Sequence, residues 1–134
     1  MSKIVETKLK IESWDEKPYR EEPDSSKFTR ADVLLSGIGD ELTAGGFEAL
    51  MYYRPDGTGT YLSYLRLTGT LDGRSGSFVL QGTGEYDGTS ARSESRVVPG
   101  SATGDLAGLT GTGMSVSTHA DYPFMPFTLE YELA

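Results

Sequence analysis

The chain has 134 residues, which is enough for one domain with a hydrophobic core. Its formal net charge of −8 argues against nucleic acid or an anionic membrane as a partner, because both attract cationic surfaces. It has no cysteine, which excludes a disulfide framework and a thiolate metal site. It also lacks a signal-peptide pattern and an apolar run of the roughly 18 residues that a membrane helix needs, so we expect a cytoplasmic protein.

The first half of the chain alternates between strand patterns and charge. Ile4–Ser13 has the period of two that is typical of a half-buried strand, with its apolar face formed by Val5, Thr7, Leu9 and Ile11. Trp14–Lys27 contains two prolines and eight charged residues, which predicts a solvated connection. Phe28–Ile38 is predicted to be the second strand.

Three hairpins follow between Phe47 and Val98, with the turn dipeptides Asp56-Gly57, Asp72-Gly73 and Asp87-Gly88. Asp-Gly between alternating apolar residues is the strongest short-range hairpin signal, because both turn residues of a type I′ turn need positive φ.

The last part of the chain contains a loop by composition, residues 99–104, and then Leu106 and Leu109, which we expect to plug the core. Thr110–Thr118 and Pro126–Leu133 are predicted to be the last strands. The pattern gives about eight strands and no helical period. We therefore predict a single all-β domain over residues 1–134, an eight-stranded antiparallel meander β-barrel, with a sandwich as the second choice.

The turns also predict which side chains share a face. If each Asp-Gly pair occupies the two central turn positions, Glu48 pairs with Leu65, Leu50 with Ser63 and Tyr52 with Tyr61. Continued through the other two hairpins, this register gives one face with a single charge, and we assign that face to the interior. Its members are Glu48, Leu50, Tyr52, Tyr61, Ser63, Leu65, Leu67, Phe78, Leu80, Gly82, Gly84, Ala91, Ser93, Ser95 and Val97.

The inner wall predicted in this way passes from bulky apolar residues to glycine and serine, which indicates a pocket beside Tyr52 and Tyr61. The alternative is that the glycines only relieve crowding where the barrel bends. The opposite face carries an apolar patch that either the N-terminal segment or a second subunit must cover, and we expect a homodimer. The patch consists of Phe47, Met51, Tyr53, Leu62, Tyr64 and Val79.

Glu48 is the candidate for acid–base chemistry, because burial would raise the pKa of the one carboxylate on the inner face. A slipped register or a bulge would instead place it at the rim, in water. His119 is the only histidine, so a three-histidine zinc site is excluded and we expect a loop residue, with no metal or cofactor. The candidate ligand-binding residues are Tyr52, Tyr61, Ser63, Leu65, Leu80, Ser93, Ser95 and His119.

The stretches Gly69–Leu80, Val97–Leu109 and Thr128–Leu133 resemble a bacterial family, the domain of unknown function 3224. The resemblance implies an eight-stranded antiparallel barrel of the allene oxide cyclase-like class, and it supplies no catalytic residues. Met114–Phe127 is longer than the usual ending of the family, so we expect a specialised mouth of the barrel around His119, Tyr122, Phe124 and Met125.

Three functions fit these observations. The first is a barrel that binds a mostly apolar small molecule. The second is a cyclase or isomerase that acts on a hydrophobic substrate, with Glu48 as acid or base. The third is a structural module with a solid barrel that binds protein through its outer patch. Fold alone does not choose among them.

Overall fold

The structure is a computed structural model that describes residues 2–37, 39 and 41–134. The described residues form a closed barrel in which each strand pairs antiparallel with the next and the last pairs with the first. This confirms the predicted eight-stranded meander. The strands are β1 Lys3–Glu21, β2 Lys27–Gly37, β3 Leu42–Tyr53, β4 Gly59–Leu71, β5 Arg74–Tyr86, β6 Ser90–Val97, β7 Thr110–Thr118 and β8 Phe124–Glu132.

β1 is 19 residues long, so the prediction that the chain leaves the sheet at Trp14 is wrong. A bulge between Ile11 and Ser13 inserts one residue and reverses the alternation of the strand. Before the bulge, Val5 and Leu9 face inward and are buried. After it, Trp14 and Glu16 face inward but stay partly exposed, opposite Val33 and Ala31 of β2. The predicted end of β2, Ile38, lies outside the described residues.

The turn between β3 and β4 overturns the predicted register of this hairpin. The Gly57 amide donates to the Arg54 carbonyl and the Arg54 amide to the Thr58 carbonyl, which makes a three-residue loop with Gly57 at φ 89°. Tyr53 therefore pairs with Gly59, one residue away from a two-residue turn. Because a shift of one residue reverses every side chain, the inward residues of β3 are Phe47, Ala49, Met51 and Tyr53.

The other two hairpins keep the predicted faces. Asp72 and Gly73 occupy a two-residue turn with φ of 51° and 79°, and Leu67 pairs with Phe78 as predicted. Between β5 and β6 the turn lies one residue later, since the Asp87 amide donates to the Ser90 carbonyl. Leu80 therefore pairs with Val97, a shift of two that leaves every side chain on its predicted side.

The middle of the barrel is filled by apolar side chains, among them Leu9, Val33, Leu67, Phe78, Leu80 and Leu129. One end is closed by the segment between β6 and β7, where Leu106 and Leu109 are buried as expected. We call this the plugged end. The opposite end carries the turns β1–β2, β3–β4, β5–β6 and β7–β8, and we call it the open end. No helix among the described residues is long and apolar enough to cross a membrane.

Candidate functional site

A cavity of about 330 Å³ lies inside the barrel at the open end, and we call it the lumen cavity. Its wall is mostly apolar, with a few hydroxyl groups and one imidazole. It is lined by Ile11, Trp14, Phe47, Met51, Tyr53, Gly59, Thr60, Tyr61, Tyr86, Ala91, Ser93, Ser115, Ser117, His119, Tyr122 and Met125.

The lumen cavity exists because β6 and β7 present small side chains at this end. Ala91 pairs with Ser117 and Ser93 with Ser115, so that one side of the wall is shallow. Glycines do not open it. A Cβ on Gly84 would lie 2.1 Å from the ring of Tyr61, which shows that the ring already occupies this space. The glycines of the inner wall therefore admit neighbouring side chains, and the serine and alanine positions leave the room.

A carboxylate is held beside the lumen cavity by the extended part of β1. Glu16 accepts hydrogen bonds from Trp14 Nε1 at 2.9 Å, from Thr29 Oγ1 at 2.7 Å and from the Tyr53 hydroxyl at 2.8 Å. Two of these donors, Trp14 and Tyr53, line the cavity. Glu16 thus fixes two side chains of the wall from behind.

These contacts shift the titration of both partners. Burial raises the pKa of Glu16, but the hydrogen bonds from Thr29, Trp14 and Tyr53 outweigh burial, and the pKa lies below its ordinary value of 4.5. Burial together with the neighbouring Glu16 carboxylate raises the pKa of the Tyr53 phenol. At neutral pH the pair is a carboxylate and a neutral phenol.

The other side of the mouth is formed by Tyr86 and His119. The Tyr86 hydroxyl lies 3.1 Å from His119 Nε2, and the two rings meet edge to face at 88°. His119 begins a 3₁₀ turn, His119–Asp121, in which the Asp121 carboxylate accepts from the amide and the hydroxyl of Thr118. This turn places His119 and Tyr122 over the cavity.

The structure brings some of the predicted site residues together. Tyr61, Ser93 and His119 all line the lumen cavity. Leu65 and Leu80 belong to the filled middle of the barrel instead. Ser63 and Ser95 face inward outside the cavity lining, paired with Gly82 of β5. Tyr122 and Met125 of the expected mouth line the cavity, and Phe124 does not.

Glu48 and Tyr52 lie on the outer face, so their predicted inward placement is wrong. The cause is the three-residue loop of the first hairpin, which shifts β3 by one residue. Glu48 pairs across the ladder with Tyr64, and both of its oxygens accept from Arg66 Nη2 at 3.1 Å. The Tyr52 ring packs on Phe28 with centroids 5.0 Å apart.

Sequence reasoning missed Trp14 and Glu16 because they lie in a stretch rich in charge and proline. One signal was available: a lone tryptophan is a large apolar side chain, which is out of place in a solvated connection. The bulge that turns these residues inward has no such signal. Among the described residues, no group of three His, Cys, Asp or Glu side chains could hold a metal ion.

The outer apolar patch has a different composition from the predicted one. Phe47, Met51 and Tyr53 face the interior, since they share the shifted register of β3. Leu62 and Tyr64 are exposed as predicted, and Leu50 joins them directly opposite Leu62. Along the other described strands, the exposed large apolar side chains are Ile4, Trp14, Tyr19, Leu34, Met114 and Val116.

The comparisons with known proteins agree with this architecture. A solved structure of a protein with unknown function from the DUF3224 family of Shewanella oneidensis MR-1 superposes with a TM-score of 0.78 at 24% identity. The superposition covers 100% of this chain and 99% of that one, which shows a common fold. No curated protein matches. The model of the family described as protein of unknown function DUF3224 matches residues 5–131, and the chain therefore belongs to the DUF3224 family.

Proposed function

We propose that the protein binds a small, mostly apolar molecule in the lumen cavity. The observation that carries this proposal is the contrast along the barrel axis. Apolar side chains fill the middle and the plugged end, whereas about 330 Å³ stays open beside Phe47, Met51 and Met125 at the open end. Concave apolar sites of roughly 300–1,000 Å³ with a few polar groups are typical of small-molecule binding.

The geometry favours binding over the alternative of a cyclase or isomerase. Glu48 points away from the lumen and is paired with Arg66, so it cannot reach a molecule inside the barrel. Glu16 is near the lumen cavity, but its lowered pKa makes it a weak base at neutral pH. Its three contacts suit it to positioning the wall.

The first prediction uses Trp14, the one tryptophan of the chain, as a reporter, because it lines the lumen cavity. The neutral fluorophore N-phenyl-1-naphthylamine is titrated into the protein, and energy transfer from Trp14 to the bound probe is recorded. We expect saturable transfer. The variant Ser117→Leu fills the shallow side of the wall, and we expect it to weaken probe binding at least about tenfold, since a leucine there competes for the same space.

The matched control is Thr110→Leu, which adds the same side chain to an exposed position on the same strand. Circular dichroism and urea unfolding confirm that both variants fold. Equal probe affinity in the wild type, Ser117→Leu and Thr110→Leu would place the probe outside the lumen and contradict the proposal, and so would a complete lack of binding.

We further propose that the outer faces of β3 and β4 pair with the same faces of a second copy. Leu50, Leu62 and Tyr64 are each at least half exposed here, at 50%, 62% and 54%. An interface around a two-fold axis must be complementary to itself, so a charge within it needs a charge of the opposite sign. Glu48 and Arg66 supply them beside the leucines.

A further inference from the structure

Aromatic rings form a large part of the wall of the lumen cavity. Six aromatic side chains line it, together with Met51 and Met125. They are Trp14, Phe47, Tyr53, Tyr61, Tyr86 and Tyr122. An aliphatic ligand could be bound by leucine and valine alone. Rings add a negative π face, which attracts cations as well as apolar groups.

Two of these rings form a corner. Trp14 and Phe47 stand at 82° to one another with centroids 5.7 Å apart. A group that enters a corner between perpendicular rings meets ring faces on two sides. This is the arrangement in which aromatic cages bind quaternary ammonium groups.

A negative charge stands directly behind this corner. Glu16 accepts the indole N–H of Trp14 and the hydroxyl of Tyr53, so its carboxylate is one side chain away from the cavity. The lowered pKa keeps it ionised at neutral pH. In the partly desolvated mouth, its attraction for a cation is stronger than in bulk water.

The rim of the open end is acidic as well. Each of its four turns carries an aspartate, namely Asp24, Asp56, Asp87 and Asp121. All four accept hydrogen bonds within their own turns. Cations also lie at these turns: Arg20 donates to Glu22 and Arg54 to Thr58, and Lys27 Nζ lies 5.3 Å from the centre of the Tyr53 ring and attracts Glu16. The chain as a whole carries −8, so its field attracts cations rather than anions.

We infer that the ligand is an organic cation, a tertiary or quaternary ammonium group on a compact apolar body, with the ammonium group near Trp14, Phe47 and Glu16. This inference rests on the proposed function and narrows its ligand class. The apolar body fits the wall of Met51 and Met125, and the cation meets the aromatic corner and the carboxylate.

The second prediction compares two probes that differ in one atom. Choline and 3,3-dimethylbutan-1-ol have the same shape, with a nitrogen cation in one and a carbon in the other. Each is titrated at constant ionic strength against Trp14 fluorescence and against bound N-phenyl-1-naphthylamine. We expect choline to bind about 5–30-fold more tightly than the alcohol, as cation–π contacts plus one nearby carboxylate give.

Two variants separate the charge from the rings. Glu16→Gln keeps an acceptor oxygen for Trp14 and removes the charge, so we expect it to weaken the binding of choline about 3–10-fold more than the binding of the alcohol. Tyr122→Leu removes a ring that is 66% exposed, so we expect the variant to fold like the wild type. We expect this variant to weaken the binding of choline more than the binding of the alcohol. Glu85→Gln, on the outer face, is the charge-matched control.

The outcomes are distinguishable. If N-phenyl-1-naphthylamine binds in the lumen but choline binds no better than the alcohol, the inference about the cation is wrong and the proposed function stands. If Glu16→Gln weakens both probes equally, the carboxylate acts on the wall alone and the inference also fails. If no probe enters the lumen, the proposed function itself is wrong.

Discussion

At the scale of single residues, Glu16 joins the fold and the candidate site. Its carboxylate ties β1 to Thr29 of β2 and to Tyr53 of β3 at the open end. Backbone ladders pair these strands here, and the carboxylate adds side-chain contacts at a level where apolar packing does not fill the lumen. At the open end, a hydrogen-bonded carboxylate thus helps to hold the strands together, as apolar packing does in the middle of the barrel.

The third prediction concerns the stability of this contact against pH. The pKa of Glu16 is lower in the folded state than its ordinary value of 4.5, so the carboxylate stabilises the fold above about that pH. As the pH falls below 4.5 and through the folded pKa, this contribution is lost. We expect Glu16→Gln to be less stable than the wild type at neutral pH. Its free energy of unfolding should be lower by about 1 kcal/mol, after allowance for the partial exposure of Glu16.

Urea unfolding at about pH 7 and about pH 3 measures the effect, and the gap between wild type and Glu16→Gln should shrink at the acidic pH. The control Glu85→Gln removes a carboxylate from the outer face of β5. A gap that stays constant over this range would contradict the role assigned to Glu16.

At the scale of strands and turns, one loop decides which face of β3 is buried. Met51 lies inside at 8% exposure and Leu50 outside at 50%. With the two-residue turn that the dipeptide Asp56-Gly57 suggests, these placements would be exchanged. Arg54, Gly57 and Thr58 form the longer loop instead, and its hydrogen bonds settle the register.

The fourth prediction tests this register directly. Met51→Ala should cost about 2–4 kcal/mol of unfolding free energy, because it removes a buried side chain. Leu50→Ala should change the free energy by less than about 1 kcal/mol, because the leucine is half exposed. Chemical denaturation of the two variants gives both values. A larger loss of stability for Leu50→Ala than for Met51→Ala would contradict this register and support that of the two-residue turn.

The sequence predicted the barrel well because alternation and turn residues are local properties. It placed β4, β5 and β6 on their correct faces even where the β5–β6 turn lies one residue later, since a shift of two preserves the face. The prediction failed where one extra residue decides which face of a strand is buried. The loop after Tyr53 and the bulge after Ile11 each change the parity of a strand, and both depend on backbone geometry.

The loop after Tyr53 and the bulge after Ile11 also explain which of the predicted site residues line the lumen cavity. The three predicted residues that line the lumen cavity, Tyr61, Ser93 and His119, lie outside the two strands with changed parity. The sequence pointed to the carboxylate of Glu48 on β3, whereas the carboxylate beside the lumen cavity is that of Glu16 on β1, two strands away. Both errors come from parity, so a correct list of inward residues required β1 and β3 to be seen in the structure.

At the scale of the whole molecule, charge limits how copies can meet. A chain with net charge −8 repels a second copy over most of its surface. The face around Leu50 and Leu62 differs, since Arg66 and Glu48 are paired across it and Arg30 lies opposite Leu50. We therefore place the proposed homodimer on this face, where opposite charges are paired and Leu50, Leu62 and Tyr64 are exposed.

The fifth prediction is that Leu62→Arg shifts the protein from dimer to monomer in analytical ultracentrifugation, because it places a charge at the centre of the proposed interface. The lumen probe should bind this variant as it binds the wild type, since Leu62 points outward. Val116→Arg, at an exposed apolar position of β7, is the control. If the wild type sediments as a monomer at all concentrations, the proposed dimer is wrong.

The closure of the barrel between β1 and β8 has a practical consequence. β1 and β8 pair antiparallel from Lys3 and Tyr131 onward, like strands that are joined by a hairpin turn. Among the described residues, no turn connects these two strands. A short linker could join the strands there, and the chain could be opened in another connection, such as the one between β6 and β7. Because both Lys3 and Tyr131 lie at the plugged end, anchoring the protein through either strand would leave its open end turned toward the solution.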